Sequence, residues 1–279
     1  MKIPLDGDYN IFMIHGSLQG LEVFPSDNIQ GGLNPFSASA LQTFDNCPMQ
    51  YKFSYVLHVP TAGKTYFNLG SVVHQVIENL TRQELEGIPP TKETALATLE
   101  QFWSSDAYAS KKKECEDKDR AEQMIDTYLA WQSQNENEVI DVEMKFAFDL
   151  NGRIVKGFID WVERSPEGQY IVIDFKTGSQ SETKHSIKEN IQMNVYSLAI
   201  LEKFGALPRK TSLLYVKHKK MVDYFPDNEQ LEKQKMRLKS MIDAVLLERF
   251  PGNPTYQTCR FCDYEVLCDE KEIKAPSAK

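Results

Sequence analysis

Residues Gly157 to Gly178, GFIDWVERSPEGQYIVIDFKTG, constrain this chain more than any other stretch. They predict two strands joined by a turn. The run from Arg153 to Arg164 alternates apolar and polar residues in part, and Ser165-Pro166-Glu167-Gly168 then breaks it. The run from Tyr170 to Lys176, YIVIDFK, is short, apolar and rich in β-branched residues, the pattern of a buried strand. The first strand carries Asp160. The second carries Asp174 and Lys176, which share a face because they are two residues apart. Charges on a mostly apolar strand pair need a reason, since burying them unpaired is costly. Two carboxylates make a hard-cation site, and a neighbouring lysine can orient or activate a water. Taken alone, this stretch is better read as an Asp174–Lys176 surface pair at a strand end.

The rest of the chain narrows the choice. With 279 residues it can bury a sizeable core, as one large domain or as a core with a helical insertion. No apolar run is long enough to span a bilayer, and the start lacks a basic region followed by a clean apolar one. The expected compartment is therefore cytoplasmic, with no membrane partner. The net charge of −8 argues against a wholly basic nucleic-acid binder. Yet residues 176–220 hold nine Lys and Arg against three Glu, a basic sector that suits a phosphate backbone or a solvated surface.

From Ser37 the pattern turns helical, with Ser37 or Ser39 as cap and Leu41 and Phe44 on the apolar face, until Cys47-Pro48 breaks it. A second helix is predicted over residues 67–83 from the spacing of Leu69, Val73, Val76, Ile77 and Leu80, with His74 beside that stripe. A lone His in such a place is more often a core residue than a ligand. Residues 87–136 read as helical, with a solvated charged run from Lys111 to Arg120. Glu138 to Leu150 is strand-like, and Asn151-Gly152 is a hairpin turn signal. Glu143, on that strand, reads as solvent-facing, with an accessory acid as the alternative. A helix over 187–204 places Gln192 and Tyr196 on one face at i and i+4. A strand at Leu213–Val216 ends in Lys217-His218-Lys219-Lys220, and an amphipathic helix follows over 229–249. Ile11 to Ile14 reads as a short strand and Gly31 to Pro35 as a loop. Gly63-Lys64-Thr65 lacks the first glycine of a phosphate-binding loop, because position 58 is His58, so no ATPase motor is expected. Ser26-Asp27-Asn28 with Lys176-Thr177-Gly178 matches β-lactamase motifs in the wrong order and is set aside.

Three of the five cysteines, Cys259, Cys262 and Cys268, stand as C-x2-C-x5-C near the end, and Cys47 lies far upstream. Four thiolates suit a structural Zn²⁺ or a [4Fe–4S] cluster, and spacing does not choose between them.

Together these elements resemble the PD-(D/E)xK nuclease superfamily, in its RecB/AddB-like branch and the related CRISPR-associated adaptation nucleases. The matching elements come in family order: Cys47, the Gly70-x-x-x-His74 element, Asp160 with Asp174-Phe175-Lys176, Gln192-x-x-x-Tyr196 and the cysteine triplet, over roughly residues 37–268. The resemblance implies an α/β fold, a restriction-endonuclease-like central mixed sheet flanked by helices. An N-terminal extension would span residues 1–36 and the nuclease domain 37–279, with a helical insertion at about 87–136 that walls or roofs a DNA channel. Cys47, Cys259, Cys262 and Cys268 would hold a [4Fe–4S] cluster that staples the two ends together, with Cys115 left as a free thiol. His74, Asp160, Asp174 and the Phe175 carbonyl would bind Mg²⁺ or Mn²⁺. Lys176 would act on the attacking water, and Gln192 and Tyr196 would position DNA. The implied activity is a metal-dependent DNA exonuclease acting on single strands or ends in repair or recombination, in reach of a helicase partner. The alternatives are a CRISPR adaptation nuclease and a non-catalytic DNA-binding scaffold subunit.

Overall fold

The structure, a computed structural model, describes residues 36–60, 69–178 and 182–271. The stretches at Ile11–Ile14, Gly31–Pro35 and Gly63–Thr65 lie outside them. One compact unit begins at Pro35. Phe36, assigned to the extension by the sequence reading, is already part of the sheet.

Six strands form one mixed sheet: β1 (Phe36–Ser37), β2 (Glu138–Asp149), β3 (Ile154–Arg164), β4 (Tyr170–Lys176), β5 (Lys210–Tyr215) and β6 (Lys220–Tyr224). The order is β1-β3-β4-β5-β6, with β2 also on β3. β3 is the axis. Its whole length pairs antiparallel with β2, from Glu138↔Arg164 to Asp149↔Ile154. Its other edge is shared: Val155 and Lys156 pair parallel with β1, and Trp161 to Arg164 pair antiparallel with β4. Pairing with β4 stops at Trp161↔Ile173, whereas β4 continues parallel to β5 through Lys176↔Tyr215. Beyond Trp161 and Ile173 the two strands therefore fork, and Asp160 and Asp174 stand at the start of the fork.

Helices cover both faces. The series is α1 (Ala38–Asn46), α2 (Pro48–Tyr51), α3 (Leu69–Leu85), α4 (Lys92–Phe102), α5 (Lys111–Gln132), α6 (Ile191–Phe204), α7 (Asn228–Leu246) and α8 (Tyr256–Cys259). On one face α1, α6 and α7 join Val162, Val172, Leu213 and Val222 of the sheet in a single apolar core. On the other, α3, α4 and α5 pack over Trp161, Ile171, Ile173, Phe175 and Leu214. The stretch expected as an inserted wall or roof, which carries α4 and α5, joins α3 in one of the two helical layers. Its Tyr128 and Trp131 meet Phe175 edge-on, at 5.7 Å each between ring centroids. Buried aromatic pairs of this geometry add specific attraction to the area they remove from water.

Caps account for the helix starts. The Ser37 hydroxyl accepts the Ala40 N–H at 3.1 Å, and Thr91 and Thr94 form a reciprocal capping box. The helix expected over 187–204 is divided at Asn190. Its side chain accepts the Met193 N–H at 3.0 Å, so α6 begins at Ile191 after a single 3₁₀ turn. Two strands escaped the sequence reading. β1 has two residues, and β6 lies directly behind the basic turn that closes β5.

Gly157 sits beneath Phe146, where an added Cβ would lie 2.9 Å from the ring. That ring is itself held by Phe148 at 6.0 Å and Tyr196 at 6.1 Å. Gly157→Ala should therefore lower stability by about 1–3 kcal/mol through overpacking. Thermal unfolding checks this, and adding Phe146→Leu should recover part of the loss.

Candidate active site

The fork brings one residue of each charged pair together. The Asp160 carboxylate accepts the Phe175 N–H at 3.0 Å, across the point where β3 and β4 part. His74 projects from α3 beside its buried stripe of Val73, Val76, Ile77 and Leu80. Its Nδ1 lies 3.4 Å from Asp160 Oδ2, and the nearby Phe175 backbone favours its protonated form against the larger effect of burial. Asp174 is 1% exposed, and its Oδ2 meets Lys176 Nζ at 2.6 Å.

Lys176 is fixed from the far side by α6. Its Nζ donates to Gln192 Oε1 at 2.7 Å, and Gln192 Nε2 donates to the Tyr196 hydroxyl at 2.7 Å. Tyr196 in turn donates to Asp174 Oδ1 at 3.4 Å, a long contact that closes a ring of four side chains. The i, i+4 spacing of Gln192 and Tyr196 on α6 lets both reach this ring. Tyr196 is only 3% exposed and packs edge-on against Phe146, so its hydroxyl faces the interior. Its burial makes Tyr196 a support for Asp174, and Gln192 supports Lys176.

The charges follow from burial. Desolvation, and then the Asp174 carboxylate, push Asp160 well above the ordinary aspartate value, against the Phe175 N–H and Lys176. Burial pulls the Lys176 ammonium down, but the Asp174 carboxylate and Asp160 lift it above the usual lysine value. Burial holds His74 below the usual histidine value, the neutral form that a metal requires of it.

Glu143 is the residue the sequence misplaced. It lies on β2 opposite Asp160, where the ladder skips from Val142↔Trp161 to Met144↔Ile159. Its φ of 51° is left-handed, an uncommon backbone for a side chain of this kind. The kink turns it into an open groove of about 430 Å³ lined also by Ser71, His74, Gln75, Glu78 and Thr177. Burial, then Glu78, raises its carboxyl, with Asp174 adding to the effect. Period-two reasoning cannot foresee a kink that changes where one side chain points. A second recess of about 400 Å³ beside Arg164 and Pro166 contains the Arg164–Glu138 ion pair and lies at the β3–β4 turn, away from the fork.

The donor set of His74, Asp160, Asp174 and the Phe175 carbonyl suits a hard divalent cation. Two observations fit that group. Asp174 Oδ2 is buried without a well-directed hydrogen bond, and the two carboxylates crowd each other enough to raise Asp160. The set is not drawn tight: among the described residues no three His, Cys, Asp or Glu side chains already form a metal-holding group. Lys176 instead neutralises Asp174.

Away from the fork, Cys47 and the C-terminal cysteines belong to segments that touch, though among the described residues no three Cys side chains already form a metal-holding group. Cys47 closes α1 and accepts the Asn253 N–H at 3.5 Å. Burial raises the Cys262 thiol, and the neighbouring Cys47, Cys268 and Cys259 add to the effect. Tyr264 fastens this segment to the N-terminal part through Ser54 at 3.0 Å and the Phe53 ring at 5.3 Å. Cys115 is exposed on α5.

A mixed sheet with helices on both faces and a forked Asp/Asp-x-Lys pair is the arrangement of a phosphodiester-cleaving enzyme. Residues 35–269 match the PD-(D/E)XK nuclease superfamily, and the chain belongs to it. It is similar to the Gene 69 protein of Mycobacterium phage D29, 24% identical over 266 residues that span 83% of this chain and 95% of that one. In fold it resembles a candidate exonuclease from Eubacterium rectale, with a TM-score of 0.51 and 11% identity over 88% of this chain and 91% of that one. No helix among the described residues is long and apolar enough to cross a membrane.

Because the Asp160 value is raised on folding, its contribution to stability is present below the unfolded carboxylate range and lost as pH rises through the folded value. In chelator, Asp160→Asn should therefore be more stable than the wild type at neutral pH. The difference should vanish in acid, as thermal melts across pH will show.

Proposed function

We propose that the protein is a Mg²⁺- or Mn²⁺-dependent DNA exonuclease that acts on single strands or ends in repair or recombination. The observation that carries this reading is the fork itself: His74, Asp160, Asp174 and Lys176 converge where β3 leaves β4. His74, Asp160, Asp174 and the Phe175 carbonyl would hold the cation. When bound, that cation lowers the pKa of a water and neutralises charge developing on the scissile phosphate.

The chain's own residues do the rest. Lys176, held charged by Asp174, donates hydrogen bonds to the attacking water or to the phosphoryl oxygens as their charge grows. Gln192 fixes the ammonium at 2.7 Å, so that little reorganisation is needed at the moment of reaction. Tyr196 anchors Gln192 and braces Asp174. Glu143 adds a carboxyl on the open side of the groove, where Glu78 is offset by Arg82 at 2.9 Å, and such an acid favours a cation there over an unaccompanied phosphate.

Lys176→Ala should slow cleavage about 10²–10³-fold while DNA binding in chelator is retained. End-labelled linear and circular single strands with Mg²⁺ or Mn²⁺ test the mode of attack, with Asp174→Ala as control. Digestion of the linear form alone supports an exonuclease, and cutting of circles makes it an endonuclease using the same groups. A folded protein that binds DNA and never cuts it would overturn the catalytic reading in favour of a scaffold.

The reading extends to the cysteines. Cys47, Cys259, Cys262 and Cys268 would hold a [4Fe–4S] cluster that ties the start of the domain to its end; structural Zn²⁺ is the competing occupant. Protein purified without oxygen should be brown, with visible absorbance lost in Cys268→Ala and kept in Cys115→Ala. A colourless protein carrying one zinc would replace the cluster with zinc. Thermal stability should fall with Cys268→Ala in either case.

A further inference from the structure

The basic turn between β5 and β6 lies directly beyond the candidate catalytic lysine. β5 runs parallel to β4 with Tyr215 opposite Lys176, and the Val216 N–H donates to the Lys176 carbonyl at 3.0 Å. The turn follows at once, and the His218 N–H closes it onto the Tyr215 carbonyl at 3.0 Å. Lys217 is two residues past Tyr215, about 7 Å along the strand direction. Lys217, His218, Lys219 and Lys220 are all exposed.

Two features separate these lysines from an ordinary solvated surface. Lys217, Lys219 and Lys220 stand together in one turn with no acidic partner among the described residues, a state that single lysines such as Lys112 and Lys239 share elsewhere. Lys219 has a φ of 51°, a turn position that favours Gly or Asn, yet a lysine occupies it. A second basic segment is tied to the same point: the Tyr215 hydroxyl accepts the Glu182 N–H at 3.2 Å, and Lys184 and His185 are exposed just after it. Tyr215 is itself 2% exposed and fixed in the sheet, so both segments have a rigid root. The groove on the other side of the fork carries Glu78 and Glu143. Arg82 offsets Glu78 at 2.9 Å, so the groove's acidic character rests on Glu143, in contrast to the basic turn.

We propose that the β5–β6 turn binds phosphates of a single nucleic-acid strand a few nucleotides from the scissile bond, through Lys217, Lys219 and Lys220. The proposal rests on the nuclease reading and adds to it the path of the substrate. Lysines on a flexible stem recognise backbone charge and not sequence. Each bound phosphate releases condensed counterions, so binding must weaken with salt.

The test compares the wild type with Lys217→Gln/Lys219→Asn/Lys220→Gln; Asn is chosen because it tolerates the left-handed backbone. A fluorescent single-stranded oligonucleotide is titrated in chelator across a salt series. Because the variant can no longer neutralise three phosphates, its log–log salt slope should be smaller by about 2, and the wild type should lose roughly twentyfold more affinity than the variant between 50 and 200 mM salt. With metal present, KM should rise and kcat should hold. Lys203→Gln/Lys233→Gln/Lys239→Gln, the same charge change on α6 and α7, should leave the slope as it is. An unchanged slope in the turn variant, with normal wild-type binding, overturns the proposal and leaves the nuclease reading intact. A wild type that neither binds nor cleaves the strand overturns both.

Discussion

The structure depends on two strands that part. β3 is clamped by β2 along its length, and β4 is clamped by β5 through Lys176, so neither can follow the other past Trp161↔Ile173. Backbone groups freed by a fork need partners, because a buried unpaired amide is costly. One of them, the Phe175 N–H, donates to the Asp160 side chain. A carboxylate thereby does a sheet neighbour's work, and it is left beside a second carboxylate that the same fork has buried.

That crowding is a stored cost. Asp174 is almost fully buried and Asp160 is pushed toward its neutral form by burial and by Asp174. The lysine two residues along offsets part of it, and the ring through Gln192 and Tyr196 keeps that lysine in place. Packing holds the arrangement rigid. Phe175, between the two charged residues, faces the opposite layer among Tyr128, Trp131 and Trp161. The α4–α5 segment therefore governs the site from beneath: loosening its aromatic packing would move the backbone that carries Asp174 and Lys176. Sites built on strands locked from both faces are more exact than sites on loops.

Charge is distributed to match. Glu78 and Glu143 line the groove on one side of the fork, and the lysine-rich turn leads away on the other. The chain as a whole is acidic, with a formal net charge of −8, so a general attraction for nucleic acid is absent and affinity must come from such local patches.

Much of this was legible in the residues. The apolar run YIVIDFK, the Asn151-Gly152 hairpin signal and the 3.6-residue stripes identified most strands and helices, because local propensity and periodicity act over a few residues. Motif order pointed to His74, Asp160, Asp174 and Lys176 and to the family that residues 35–269 match. What required the tertiary structure was every relation across the sheet. β1 and β6 are too short and too dependent on their neighbours to show in a pattern, and Asn190 won a cap where the stripe ran on. Gln192 and Tyr196 carried the right spacing, yet only the packing of α6 shows that Tyr196 is buried and turned inward. Glu143 looked outward by alternation, until a left-handed kink placed it in the groove. Sequence determines which groups the chain has and their local geometry; which of them meet is set by the closure of strands and helices far apart in the chain.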